Sequence, residues 1–148
     1  MHTVTHGAML APAAVLVLWT LVMMMWVMVT RIPAMSKIPG IEKAPPGGRG
    51  QDLEGILPPQ INWKSHNYTH LLEQPTLFYA AVVILALTGA GTVDVALAWG
   101  YVGLRVVHSL WQALVNRIPV RFLLFLLSSL CLVALAIRAA AACFATMG

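Results

Sequence analysis

The chain has 148 residues, 59% of them hydrophobic and only 9% charged. Soluble domains carry about 25% charged residues, and a soluble fold this short cannot hide so much apolar surface from water. A soluble globular domain is therefore excluded. The net charge of +4 is scattered between apolar runs, which also excludes the contiguous basic patch that nucleic acid requires.

The first element is Met9 to Val29, 21 residues with Thr20 as the one clearly polar side chain. About 20 apolar residues span the hydrocarbon core as a helix. No Lys or Arg precedes the run, and it exceeds the roughly 7–15 residues of a signal-peptide core, so it is expected to stay as an anchor. His2 and His6 read as a solvated tail before it.

Residues 32–66 form the one long connection, with six of the nine prolines and five glycines. Such a segment cannot be one helix, and its "APPGGRGQ" stretch reads as a mobile tip. Further spans are expected at Leu71–Ala90, Thr92–Leu114 and Phe122–Met147, joined by turns at "TGAGT" and "NRIP". All must be helices, because an open sheet leaves backbone groups unsatisfied in lipid. The expected fold is all-α, an integral membrane four-helix bundle in a single domain over residues 1–148.

Arg31, Lys37, Lys43, Arg49 and Lys64 lie between spans one and two, and Arg117 and Arg121 between spans three and four. Four crossings put these seven on one side and leave the other with Arg138 alone. The positive-inside rule then places both loops in the cytoplasm and both termini on the non-cytoplasmic side. Trp26, Trp63 and Trp111 fall near the cytoplasmic boundaries, where tryptophan favours the interface. Cys131 and Cys143, twelve positions apart on one helix, cannot bridge each other.

Span three carries the most informative spacing. With Arg105 at zero and 100° per residue, Asp94, Tyr101, His108 and Gln112 fall at about 340°, 320°, 300° and 340°. Five polar-capable side chains thus share about 60° of arc. Ala96, Gly100 and Gly103 lie nearly opposite, where small residues permit close helix contact. Asp94 also complements the helix N-terminus after Thr92, a plausible cap. An arginine as deep as Arg105 needs a partner, and Glu73 is the carboxylate whose span enters from the same side.

Span two opens with "NYTHLLEQPTLFYA", in which Asn67, His70 and Glu73 fall three apart on one helical side. Pro75 removes a backbone donor from the Leu71 carbonyl, which predicts a kink. Arg31 ends span one and Arg121 begins span four at this same end. The expected site is a cytoplasm-facing pocket ringed by three arginines, one glutamate and two histidines. It suits a small ligand bearing carboxylates and an amine. His70 and His108 lack a third ligand at suitable spacing, so no metal is expected. A proton relay through Glu73, Arg105 and His108, as in a small transporter, is a further reading of the same residues.

"HLLEQPTLFYA" and "LRVVHSLWQALVNRIPVRF", together with the loop pattern, resemble the MAPEG family, the membrane-associated proteins of eicosanoid and glutathione metabolism, in a bacterial-type member. The resemblance covers essentially the whole chain. It implies a homotrimer in a bacterial inner membrane, in contact with lipids, with glutathione as co-substrate between subunits and a lipophilic small-molecule substrate. It further implies that Arg31 closes helix one as a basic ligand, that Glu73 holds the glutathione amine, and that Arg105 and His108 match an Arg-x-x-His. Arg121 matches the arginine that stabilises the glutathione thiolate. His70 stands where many members have asparagine, and Gln112 where glutathione users often have tyrosine. The arginine usually found several residues before His70 is missing, with Lys64 the nearest cation, and lysine lacks the bidentate fork. The implied activity is a glutathione-dependent transferase or peroxidase. The alternative is a non-catalytic binding or accessory subunit that keeps the pocket.

Overall fold

The computed structural model describes residues 4–43 and 46–145. Its helices are α1 (His6–Met35), α2 (Pro59–Glu73), α3 (Pro75–Thr88), α4 (Thr92–Leu114) and α5 (Ile118–Ala145), with α2 and α3 forming one helix broken at Gln74. The result is a four-helix bundle, and no strand occurs among the described residues. Helix α4 packs against α5, α1 and α2, and α3 packs against α5 and α1.

In α1 the buried residues Met9, Pro12, Leu16, Thr20 and Met23 recur every three or four positions, a narrow seam against the bundle. The rest of its surface is also apolar, with Val17, Leu18, Leu21, Val22, Met25 and Val29 exposed. A helix that is apolar all round has lipid, not water, as its outer solvent. The Thr20 hydroxyl donates to the Leu16 carbonyl at 2.8 Å, so the polar member of the span leaves no unsatisfied group.

Three helices are long and apolar enough to cross a membrane: His6–Met35, Pro59–Thr88 and Ile118–Ala145. Helix α4 falls short because its polar residues lower its hydropathy, yet those residues point inward. Asp94, Tyr101, Arg105, His108 and Gln112, the arc expected to share one face, are all buried, while Val93, Trp99, Val107, Leu110 and Leu114 are exposed. Its polarity faces the bundle and its outer face is apolar. The chain is an integral membrane protein.

Several boundaries differ from expectation. Helix α1 continues through Pro33 to Met35, and the second helix starts at Pro59, so the connection is 36–58 rather than 32–66. Pro59 suits a first helical position, where its missing N–H costs nothing. Hydropathy marked only the apolar half of this helix, since α2 is polar. Ala44 and Pro45 of the expected tip lie outside the described residues, as do His2 and Met147. His6 is not a solvated tail: it opens α1, and its ring bonds the Ala86 carbonyl.

At the α3–α4 turn Gly89 has φ +104°, a conformation that favours glycine. The cap of α4 is Gly91 rather than Thr92: the Asp94 carboxylate accepts the Gly91 N–H at 2.7 Å and also holds Arg138 of α5. A Cβ added at Gly100 would stand 3.8 Å from the Cys131 sulfur, ordinary contact, whereas one at Gly103 would meet open space.

Candidate functional site

The site begins with the helix break. Pro75 has no N–H to donate back, and the helix is interrupted at Gln74 as the sequence predicts. Arg105 docks on the turn just before the break: its Nη2 donates to the His70 carbonyl at 2.8 Å and to His70 Nδ1 at 3.1 Å. This corrects the expected pairing of Arg105 with Glu73. Glu73 is exposed at the cavity wall, and no ion pair joins it to Arg105 among the described residues. A backbone carbonyl is a neutral acceptor that charge counting does not find. Arg105 is fully buried, with the Tyr101 and Phe125 rings each 6.0 Å from its guanidinium carbon. Its Nε and Nη1 have no acceptor among the described residues.

Gln74 continues the polar thread away from the break. It accepts from the Tyr101 hydroxyl at 3.4 Å and donates to Ser129 at 2.7 Å. The Tyr101 ring stacks on Phe78 at 4.3 Å between centroids. Below the break, His70 stacks on His108 at 5.0 Å and meets the edge of Phe125 at 5.4 Å.

A cavity of about 670 Å³ opens at this end of the bundle. Of the expected residues, Arg31, His70, Glu73, Gln112 and Arg121 line it. Asn67 does not: it is buried, donating to Ser109 Oγ at 2.7 Å, an oxygen that also accepts from Trp19 Nε1 at 3.1 Å. Arg105 and His108 stand behind the wall, Arg105 through His70 and His108 through the ring stack. Arg31 is held by its bonds to Ser65 and to the Gly50 carbonyl, which ties the long connection to α2. Arg121 Nη1 donates to Asn116 Oδ1 at 2.8 Å, and Asn116 takes a positive φ of 54° to turn the chain from α4 into α5.

A family model for the MAPEG family matches residues 9–141. The chain belongs to the MAPEG family. Among curated proteins and among solved structures no match was found. Membership carries a membrane-bound, glutathione-related transferase, peroxidase or related function in general terms.

In this MAPEG protein the cavity also recruits residues that sequence reasoning missed. Arg49, Gln51 and Glu54 reach it from the connection, and Asn62, Ser65, His66 and Thr69 from α2. Glu54 and His66 bond each other at 2.7 Å on its rim. The signal for the α2 group is the helical repeat 62, 66, 69, 70, 73, legible once α2 is known to start at Pro59. The loop residues carry no comparable periodicity. Lys64, the nearest cation to the missing arginine, donates to the Gln60 carbonyl at 2.8 Å and lies over the Trp26 ring at 5.3 Å, away from the cavity lining. Arg49 is the third arginine in the wall.

A second, smaller cavity of about 160 Å³ adjoins the histidine pair, lined by His70, His108, Ile118, Arg121, Phe122 and Phe125. His70 and Arg121 are the two residues common to both cavities. No group of three or more His, Cys, Asp or Glu residues suited to a metal occurs among the described residues.

Proposed function

We propose that this MAPEG protein is a membrane-bound glutathione-dependent transferase or peroxidase acting on lipophilic electrophiles. The observation that carries the reading is the composition of the larger cavity. Its 670 Å³ lies within the roughly 300–1,000 Å³ of small-molecule sites. Arg31, Arg49 and Arg121 suit the two carboxylates and the thiolate of glutathione, and Glu73 and Glu54 suit its amine. The electrophile enters from lipid, and the basic end of the bundle faces the cytoplasm.

A thiol of pKa about 8.5 is mostly protonated at neutral pH, and a neighbouring cation lowers that value. In the proposed reaction the thiol proton leaves to water, Arg121 stabilises the sulfur anion, and the anion forms a bond to an electrophilic carbon as the displaced group departs with its electron pair. Asn116 holds Arg121 in place for this role. The remaining ligand contacts are assigned to Arg31, His70, Glu73 and Gln112, with Asn67, Arg105 and His108 supporting them. A homotrimer completes the site between subunits in this reading.

Arg121→Ala tests it. The expected result is a higher pKa for the bound thiol, read from thiolate absorbance, and turnover lowered by about 10²–10³, with glutathione affinity changed far less. Unchanged thiol pKa and rate would remove Arg121 from the chemistry. The position of Lys64 outside the cavity and glutamine at position 112 favour a second reading, a non-catalytic binding or accessory subunit. It predicts glutathione binding by wild type with no thiolate absorbance and no turnover of a generic electrophile.

A further inference from the structure

Arginine has only donors, and its guanidinium stays protonated in proteins. Wherever Arg105 Nη2 bonds His70 Nδ1, as it does at 3.1 Å, that nitrogen must be the acceptor. The imidazole proton therefore sits on Nε2, and the ring cannot gain a second proton without breaking the bond to Arg105. The same Nη2 holds the His70 carbonyl at 2.8 Å, and His108 and Phe125 pack the ring on two sides. One arginine thus fixes both the backbone and the tautomer of this histidine. Nε2 has no hydrogen-bond partner among the described residues, and the ring lines both cavities.

The place where those cavities meet is also informative. The larger is ringed by charged and polar side chains, and the smaller is walled mainly by Ile118, Phe122 and Phe125. A polar tripeptide belongs in the first and an apolar electrophile in the second, so their reacting atoms meet at the junction. His70 and Arg121 are the residues present there.

We propose that His70, held by Arg105 as the Nε2–H tautomer, donates a hydrogen bond to the sulfur anion of bound glutathione. It is a catalytic residue beside Arg121, and Arg105 is its positioning residue. This rests on the glutathione reading of the larger cavity. A neutral donor complements the arginine: it stabilises the anion by a directed hydrogen bond without adding a charge to a site that already holds several cations. Fixing the tautomer through the other ring nitrogen is the usual means of aiming such a donor.

Two measurements test the proposal on the full-length protein in lipid nanodiscs. Nitrogen-15 NMR of labelled histidine, with His70 assigned by its loss in His70→Phe, reads the tautomer. The Nε2–H form is expected in wild type, and a mixture of tautomers in Arg105→Met, whose apolar side chain keeps most of the volume. An Nδ1–H tautomer in wild type, or one unaltered by Arg105→Met, overturns the positioning role. The second measurement titrates the thiolate absorbance of bound glutathione. His70→Phe is expected to raise the thiol pKa and to lower kcat by about tenfold or more, with KM for glutathione changed less. His70→Gln, whose amide N–H reaches toward the Nε2 position, should recover part of the loss. An unchanged thiol pKa in His70→Phe overturns the catalytic role. Absence of any thiolate signal in wild type would refute the glutathione chemistry and with it the role on sulfur, while the tautomer result would still stand or fall by itself.

Discussion

Replacing Arg105 gives the sharpest test of how this bundle tolerates a charge. The side chain is fully buried and holds the His70 carbonyl and ring through one nitrogen, while among the described residues Nε and Nη1 have no acceptor and no carboxylate lies in ion-pair range. Arg105→Met removes the charge and keeps most of the volume. Its cost is the loss of the donor shared by the His70 carbonyl and ring nitrogen, about 1–3 kcal/mol for the carbonyl, the half-buried ring at the cavity wall being open to water. Its gain is relief of the desolvation of an unpaired ion, several kcal/mol. The expected balance is stability equal to wild type or higher by about 1–4 kcal/mol, the range seen when buried ions are replaced by apolar residues. Arg105→Ala gains the same relief but leaves a cavity, so it should be less stable than Arg105→Met by about 2–5 kcal/mol. Unfolding in mixed micelles, titrated with denaturing detergent and checked for reversibility, measures both. A loss of several kcal/mol in Arg105→Met without glutathione would refute the reasoning, because it would mean that Nε and Nη1 have an acceptor in the assembled protein.

At the opposite end, Asp94→Ala should cost more than Arg138→Ala in the same assay. The first loses the cap on Gly91 as well as the ion pair, about 1–2 kcal/mol, while the second leaves the cap in place. Gly89→Ala, forced into φ +104°, should destabilise by about 1–2 kcal/mol, and equal stability would show that the turn relaxes. A cysteine placed at the exposed Gly48 should resist an impermeant thiol reagent in intact cells and react after permeabilisation. Labelling in intact cells would reverse the proposed orientation.

Periodicity and hydropathy made the bundle legible where one physical effect dominated. The apolar runs located the helices, and the 100° repeat located the buried face of α4. That face is the feature the composition of α4 would otherwise have argued against, since its polar residues lower its hydropathy while pointing inward. The beginning of the second helix was not legible, because hydropathy senses lipid exposure and α2 is a polar helix lining a polar cavity. Pro58 and Pro59 looked like loop residues, yet Pro59 starts the helix. Arg49 and Gly50 were hidden for a different reason. Their approach to Arg31 and to the cavity depends on how 36–58 folds back, and no periodic signal encodes that path.

The Arg105 pairing failed for the most instructive reason. Matching a buried cation to the nearest carboxylate treats the backbone as already satisfied, and in a regular membrane helix it is. Pro75 breaks that condition locally. The carbonyl this orphans is that of Leu71, while Arg105 bonds the adjacent His70 carbonyl, a contact that also holds the His70 ring where it lines both cavities. The break follows the turn from which His70 and Glu73 reach the cavity that Arg121 also lines. Among the described residues Glu73 forms no ion pair with Arg105, and it faces the cavity, where the proposed reading has it meet a ligand's amine.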